Sequence, residues 1–234
     1  MRNEMHKRLL RLDLGKTDYV ETWDLQKRLV ELRRDGKIPD CLILTEHNPV
    51  ITMGRATSKE NLLYTPAELK TRGVELFEIE RGGDITFHGP GQLVAYPIID
   101  LDNHGRDLHK YLRDLERVVI ETLDDLGIKA GLKPGLTGVW ADDHKLAAIG
   151  VAVKRWVTYH GLALNVSTDL DYFKLINPCG ITVYPVGSIE SNLEKKTEFD
   201  RVAGLLALNF SATFNCELEA TSLESLLFET VEAN

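Results

Sequence analysis

Apolar residues recur at helical spacing between Tyr19 and Arg34, where Val20, Trp23, Leu29, Val30 and Leu32 mark one face. Thr17 or Asp18 can cap the start, and Gly36 stops it. The run Cys41 to Thr45 has the length of a buried strand. Thr65-Pro66-Ala67-Glu68 has the spacing of a capping box with proline at the first helical position, so it opens a short helix that Gly73 ends. Val74, Leu76 and Ile79 lead into another strand. After a glycine-rich connection from Gly82 to Gly91, Leu93 to Leu101 reads as a strand, and Asp107 caps a long helix over Leu108 to Leu126 closed by Gly127. Gly138-Val139-Trp140, the run Leu146 to Val153, a Lys154-Arg155-Trp156 turn and the run Val157 to Val166 predict a hairpin of long strands. Phe199 to Phe210 and Leu223 to Val231 predict closing helices. The order implies an α/β fold of the α+β kind, with mixed β-sheets flanked by helices. No repeat, low-complexity linker or compositional break divides residues 1–234, so one domain is expected.

Composition narrows the class. Hydrophobic residues make up 43% and charged residues 27% of the chain, an ordinary globular balance. The longest apolar stretches are strand-sized, far short of the roughly 20 residues a membrane helix needs, and no membrane span is expected. The basic start, Met1 to Arg8, leads into charges alternating with leucine, not into a signal-peptide core. A net charge of -8 without a long stripe of lysine and arginine argues against nucleic-acid binding. Cys41, Cys179 and Cys216 are widely spaced and form no CxxC pair, which fits a reducing compartment and a cytoplasmic protein. The histidines include no H-x-x-x-H pair, so no metal site is expected.

Two segments could carry chemistry. The stretch from Arg81 to Gln92 holds four glycines, Gly82, Gly83, Gly89 and Gly91, and lets backbone approach a ligand closely or simply turn between strands. It matches neither the dinucleotide fingerprint nor the phosphate-binding loop. In Asn177-Pro178-Cys179-Gly180-Ile181, a thiol sits between a proline that fixes φ and a glycine that frees it. Cys41 and Cys216, in apolar or terminal contexts, read as small packing residues. A reactive thiol needs a partner that favours thiolate, because an unperturbed one is only a few per cent ionised at neutral pH. His88, His144, His160, Lys145 and Lys154 are candidates. Lys145 stands out because it opens the apolar run Leu146-Ala147-Ala148-Ile149-Gly150.

Four blocks in order, Arg81-Gly82-Gly83-Asp84-Ile85-Thr86-Phe87-His88-Gly89-Pro90-Gly91-Gln92 with Tyr96, Gly138-Val139-Trp140 with Lys145 to Val151, His160 to Val166, and Pro178 to Ile181, resemble the lipoyl (octanoyl) transferases of lipoate biosynthesis. The resemblance runs from the first strand to about Ser191, and Thr182 to Pro185 departs from the family pattern. It implies the architecture shared with biotin and lipoate protein ligases. It implies transfer of octanoyl from octanoyl-acyl carrier protein to a lysine on lipoyl domains of 2-oxoacid dehydrogenase E2 subunits and on the glycine cleavage H protein. Cys179 would be the nucleophile and Lys145 its activating partner. Arg81, Gly82, Gly83, Asp84, Ile85, Thr86, Phe87, His88, Ala148, Ile149, Gly150, Gly161, Leu162 and Ala163 would bind substrate, with no cofactor. Arg81, Lys145, Lys154 and Arg155 are candidates for a basic rim that meets the acidic carrier. An ATP-dependent lipoate or biotin ligase, and a non-catalytic module that sequesters acyl groups, are the competing readings.

Overall fold

The structure is a computed structural model that describes residues 7–177 and 184–232. In chain order its elements are β1 (Lys7–Thr17), α1 (Tyr19–Arg34), β2 (Asp40–His47), β3 (Val50–Met53), α2 (Pro66–Thr71), β4 (Glu75–Glu78), β5 (Ile85–His88), β6 (Gln92–Ile98), α3 (Leu108–Asp124), β7 (Val139–Ala141), β8 (His144–Lys154), β9 (Val157–Asn165), α4 (Ile189–Leu193), α5 (Phe199–Phe214), β10 (Cys216–Ala220) and α6 (Leu223–Glu232). A seven-stranded mixed sheet runs β10-β1-β2-β6-β9-β8-β7, and a three-stranded sheet runs β4-β3-β5. Strand β1 is parallel to both neighbours, and the β2-β6-β9-β8-β7 part is antiparallel throughout.

Period-two alternation decides which face each residue covers. On one face of the large sheet Leu42, Leu44, Leu93, Ala95, Leu162 and Leu164 pack with Leu115, Val118 and Val119 of α3 and Leu206 and Phe210 of α5. On the other, Cys41, Ile43, Val94, Tyr96 and Ala163 share a core with Leu29 and Val30 of α1 and Leu226 of α6. The small sheet has its own core, in which Ile51, Ile85 and Phe87 pack with Leu69 of α2 and Leu175. It is tied to the large sheet through Gly82, whose N–H donates to the Val151 carbonyl at 2.8 Å.

Several elements match the sequence pattern closely. The Thr65 capping box forms, with Glu68 N–H on the Thr65 hydroxyl and Thr65 N–H on the Glu68 carboxylate. Asp107 caps α3 through Lys110 N–H at 2.9 Å. The β8–β9 hairpin pairs Ala147 with Leu164 through to Lys154 with Val157, with Arg155 and Trp156 at positive φ in the turn. Other boundaries are corrected. β6 ends at Ile98, and Leu101 falls in a 3-10 turn over Leu101–His104. Asp18 makes no capping bond to α1; its carboxylate accepts from Asn48 Nδ2 instead. The expected glycine-rich connection contains β5, and the charged stretch from Lys7 is β1, whose Leu9 and Leu12 are fully buried. Among the described residues no helix is long and apolar enough to cross a membrane.

Candidate active site

A cavity of about 380 Å³ opens between the two sheets. Its floor is the face of β6, β9 and β8 that carries Val94, Ala163 and Ala148. Ala148 is paired with Ala163 and Val94 with Ala163, so small apolar side chains lie side by side across three strands. Next along the strands come Gly150, Gly161 and Tyr96. Gly150 has no room for a side chain, because a Cβ would stand 2.8 Å from the Gly82 carbonyl and 3.1 Å from Arg81 Cδ. The Gly82-Gly83 loop therefore rests directly on β8 and roofs the slot. Gly161 is a glycine for another reason: its Cβ would lie 2.2 Å from the Ala95 carbonyl of the neighbouring strand. Thr86 and His88 face the slot from β5, and Tyr19 from α1.

Lys145 sits at one end, only 9% exposed. Its ammonium lies 5.1 Å from the centre of the Trp140 ring, and a Cβ on Gly138 would meet Lys145 Cε at 2.7 Å. Gly138, at φ +140, thus leaves the space that the lysine stem fills. The Lys145 backbone is clamped by the returning chain: its N–H donates to the Pro185 carbonyl at 2.9 Å, and Gly187 N–H donates to the Lys145 carbonyl at 3.0 Å. Asn165 holds that same segment, with Nδ2 on the Gly187 carbonyl at 2.9 Å, and accepts from Gln92 Nε2 at 2.9 Å. Thr86, Gln92, Asn165 and Val186 line a small recess that continues the slot past Lys145.

Most of the residues expected from sequence converge here: Arg81, Gly83, Asp84, Ile85, Thr86, His88, Lys145, Ala148, Ile149, Gly150, Gly161, Leu162 and Ala163 all border the cavity. Leu162 belongs to the core on the far face of the sheet and Ile149 packs against it, so both reach the slot through backbone. Two expected residues do not line it. Phe87 points the opposite way from Thr86 and His88 and stacks on Tyr172 at 4.7 Å, and Gly82 is turned toward Val151. Cys179, with Pro178, Gly180 and Ile181, lies outside the described residues. Tyr19, Val94, Tyr96 and His160 also border the cavity and were not among the expected substrate contacts. Tyr96 stood with the first motif block, and Val94, two residues before it on β6, shares its face; nothing local marked Tyr19.

The expected basic rim is not formed as a set. Arg81 is 7% exposed and donates to the Thr52 carbonyl at 2.7 Å and hydroxyl at 3.0 Å, so it braces the small sheet. Lys145 is interior; Lys154, paired with Glu31 at 2.7 Å, and Arg155 are the two expected rim cations that are exposed, at the β8–β9 turn.

Electrostatics separates the candidates for thiol activation. His88 Nδ1 lies 2.7 Å from Gln92 Oε1, whose amide nitrogen already donates to the Phe87 carbonyl and to Asn165. Gln92 Oε1 is therefore the acceptor and His88 carries its proton on Nδ1. Burial, reinforced by nearby His47, depresses His88 to about 3. Burial likewise depresses His47 and His160 to about 4. His47 Nε2 and the Tyr96 hydroxyl lie 2.8 Å apart. All three rings are neutral near pH 7, so none supplies a positive charge to a thiolate. His144 is exposed. Lys145 is the buried amine at the slot. The other thiols are poorly suited to reaction: burial, with the Asp40 charge, pushes Cys41 up to about 12 and Cys216 up to about 11.

A pH titration checks these assignments. The imidazole resonances of His47, His88 and His160 are expected to stay in their neutral positions from about pH 8 to about pH 5, where an exposed histidine titrates. Because their folded values lie below the unfolded one, the stability these groups contribute is present above about pH 6.5 and is lost as pH falls through the folded values of about 4 and about 3. A mid-range titration of all three rings would contradict the neutral-cluster assignment.

Comparison with known proteins places this geometry. Residues 18–211 match the family described as the lipoyl protein ligase A/B catalytic domain. An octanoyltransferase of Koribacter versatilis is 49% identical over 222 residues, 92% of this chain and 88% of the relative. An octanoyltransferase of Gloeobacter violaceus is 44% identical over 223 residues, 94% and 96% of the two chains. Among solved structures, a bipartite lipoate protein ligase from Thermoplasma acidophilum superposes with a TM-score of 0.71 at 20% identity, covering 97% of this chain and 91% of that one. The biotin protein ligase of Aquifex aeolicus gives 0.51 at 12% identity, covering 89% and 69%. The fold is that of these ligase catalytic domains.

Proposed function

This chain belongs to the lipoyl protein ligase A/B catalytic-domain family, and on that premise we propose that it is an octanoyltransferase working through a Cys179 thioester. The observation that carries the reading is a buried amine, Lys145, at the end of a narrow slot floored by Ala148, Val94 and Ala163, in a chain whose relatives include octanoyltransferases at 41–49% identity. The slot suits an unbranched acyl chain. Burying about six methylenes at roughly 0.8 kcal/mol each contributes on the order of 5 kcal/mol, which separates octanoyl from very short chains.

The reaction has two halves. Lys145 takes the Cys179 thiol proton, and the thiolate attacks the carbonyl of octanoyl-acyl carrier protein. The tetrahedral oxyanion collapses, the C–S bond to the carrier breaks, and Lys145 returns the proton to the leaving thiol. A lysine ε-amine of a lipoyl domain, from a 2-oxoacid dehydrogenase E2 subunit or the glycine cleavage H protein, then attacks the enzyme thioester. The C–S bond to Cys179 breaks, the amide forms, and the proton shed by the amine restores the thiol. Exchange between thioesters is close to thermoneutral and aminolysis runs downhill, so the proposed cycle consumes no ATP.

The competing reading takes its support from the fold, which matches a lipoate-protein ligase A solved with ATP at a TM-score of 0.71 and 19% identity. ATP dependence separates the two. Purified protein, octanoyl-acyl carrier protein and unmodified lipoyl domain are expected to yield octanoylated domain without nucleotide. Product that forms only from free octanoate with ATP would overturn the transferase reading in favour of a ligase.

A further inference from the structure

Behind the slot lies a second cavity of about 240 Å³, bordered by Lys27, Val30, Glu31, Glu80, Lys154 and Tyr159. His160 stands between the two spaces. It borders the slot on one side. On the other, its ring stacks on Tyr159 with centroids 5.0 Å apart, and Nε2 is 4.0 Å from Glu80 Oε2; both of those neighbours border the second cavity. The Tyr96 ring meets it edge-on at 6.4 Å.

The backbone is built to put the ring there. His160 has φ +54 in the middle of β9, a conformation that costs a non-glycine residue energy and persists only where the surroundings impose it. Its N–H donates to Gln26 Oε1 of α1 at 2.8 Å, and the next residue, Gly161, lets β9 press against the Ala95 carbonyl. The side chain is 2% exposed, yet Nε2 has no hydrogen-bond partner among the described residues. An apolar residue would fill a core at this position without leaving a buried nitrogen in that state.

We propose that His160 is the end wall of the acyl slot and sets the longest chain the enzyme accepts. The inference rests on the reading of the slot as an acyl site. A wall made of one side chain with space behind it is removable. Without the imidazole, the floor runs on past Gly150 to Ala152, and a longer chain can pass beside Val30 and Tyr159. The carboxylates bordering that space are already engaged, Glu31 by Lys154 and Glu80 by the Trp23 indole N–H at 3.2 Å.

The test is a His160→Gly variant, since glycine adopts the left-handed backbone without strain and should fold at this position. Binding of octanoyl- and dodecanoyl-pantetheine is measured by calorimetry with and without His160→Gly, both in the Cys179→Ser background, where the thioester is not attacked. The dodecanoyl-to-octanoyl affinity ratio is expected to rise about tenfold or more in His160→Gly. Adding Val30→Phe, which refills the second cavity, is expected to bring the ratio back toward wild type. An unchanged ratio in the folded variant overturns the proposal. Should His160→Gly fail to fold, His160→Asn, a shorter side chain that tolerates the left-handed backbone, lowers the same wall, and an unchanged ratio there overturns the proposal equally. A wild type that binds octanoyl-pantetheine but transfers no octanoyl from carrier protein to a lipoyl domain overturns the transferase reading, while the chain-length ratio still judges the wall.

Discussion

Replacing Lys145 with methionine is expected to slow enzyme acylation at neutral pH by about 10²–10⁴-fold while leaving octanoyl binding nearly unchanged, because proton transfer by a positioned side chain contributes on that order. Methionine keeps the unbranched stem that packs beside Trp140 and Gly138, so the loss reports the amine and not a cavity. The measurement is single-turnover acylation by rapid quench, alongside equilibrium binding of octanoyl-pantetheine to the Cys179→Ser forms, in which the thioester is not attacked. Direction with pH is part of the expectation. A thiol without an assisting base ionises near about pH 8.5, so the deficit should shrink as pH rises past that value. Lys145→Arg should recover little of the rate, since a guanidinium holds positive charge but does not surrender a proton in this range. A wild-type rate in Lys145→Arg would show that charge alone suffices, and a wild-type rate in Lys145→Met would remove the residue from the chemistry. Gly138→Ala should reach a similar end sterically, by driving the lysine stem from its place.

Local rules made part of this architecture legible in the sequence, and the parts they missed share a cause. The β8–β9 hairpin, α3 and the Thr65 box are specified by neighbouring residues: two apolar runs between Leu146 and Val166 broken by the Lys154-Arg155-Trp156 turn, an Asp107 cap, a proline after the cap. β1, β3 and β10 are specified by distant partners. Lys7–Thr17 intersperses charges with leucines and becomes a strand because β2 and β10 flank it, with Leu10 registered on Cys41 and on Glu219. Cys216–Ala220 is a polar edge strand that no apolar run announces.

The site divides in the same way. Lys145, Ala148, Gly150 and Ala163 belong to motif blocks on adjacent strands, so their convergence follows from one hairpin. Tyr19 arrives from α1, and the clamp on Lys145 arrives from Pro185 and Gly187, contacts that span tens of residues. Arg81 borders the cavity, where its motif block put it, but is poorly placed for the expected basic rim, because its guanidinium is drawn inward to the Thr52 carbonyl and hydroxyl. His88 read as a possible base, but the Gln92–Asn165 chain fixes its tautomer and burial keeps it neutral.

Cys179→Ser carries the second large expectation. Serine has nearly the same shape, but its hydroxyl ionises far less readily than a thiol at neutral pH, so octanoyl transfer should fall to background while the fold and slot persist. The remaining thiols offer no substitute, since burial holds Cys41 and Cys216 protonated. The most direct measurement is intact-protein mass spectrometry after mixing with octanoyl-acyl carrier protein in the absence of a lipoyl domain. The account predicts that the wild type gains the mass of one octanoyl group, that hydroxylamine removes it, and that Cys179→Ser gains none. Octanoylated lipoyl domain formed at full rate by Cys179→Ser, or by a wild type that never carries the adduct, would contradict it.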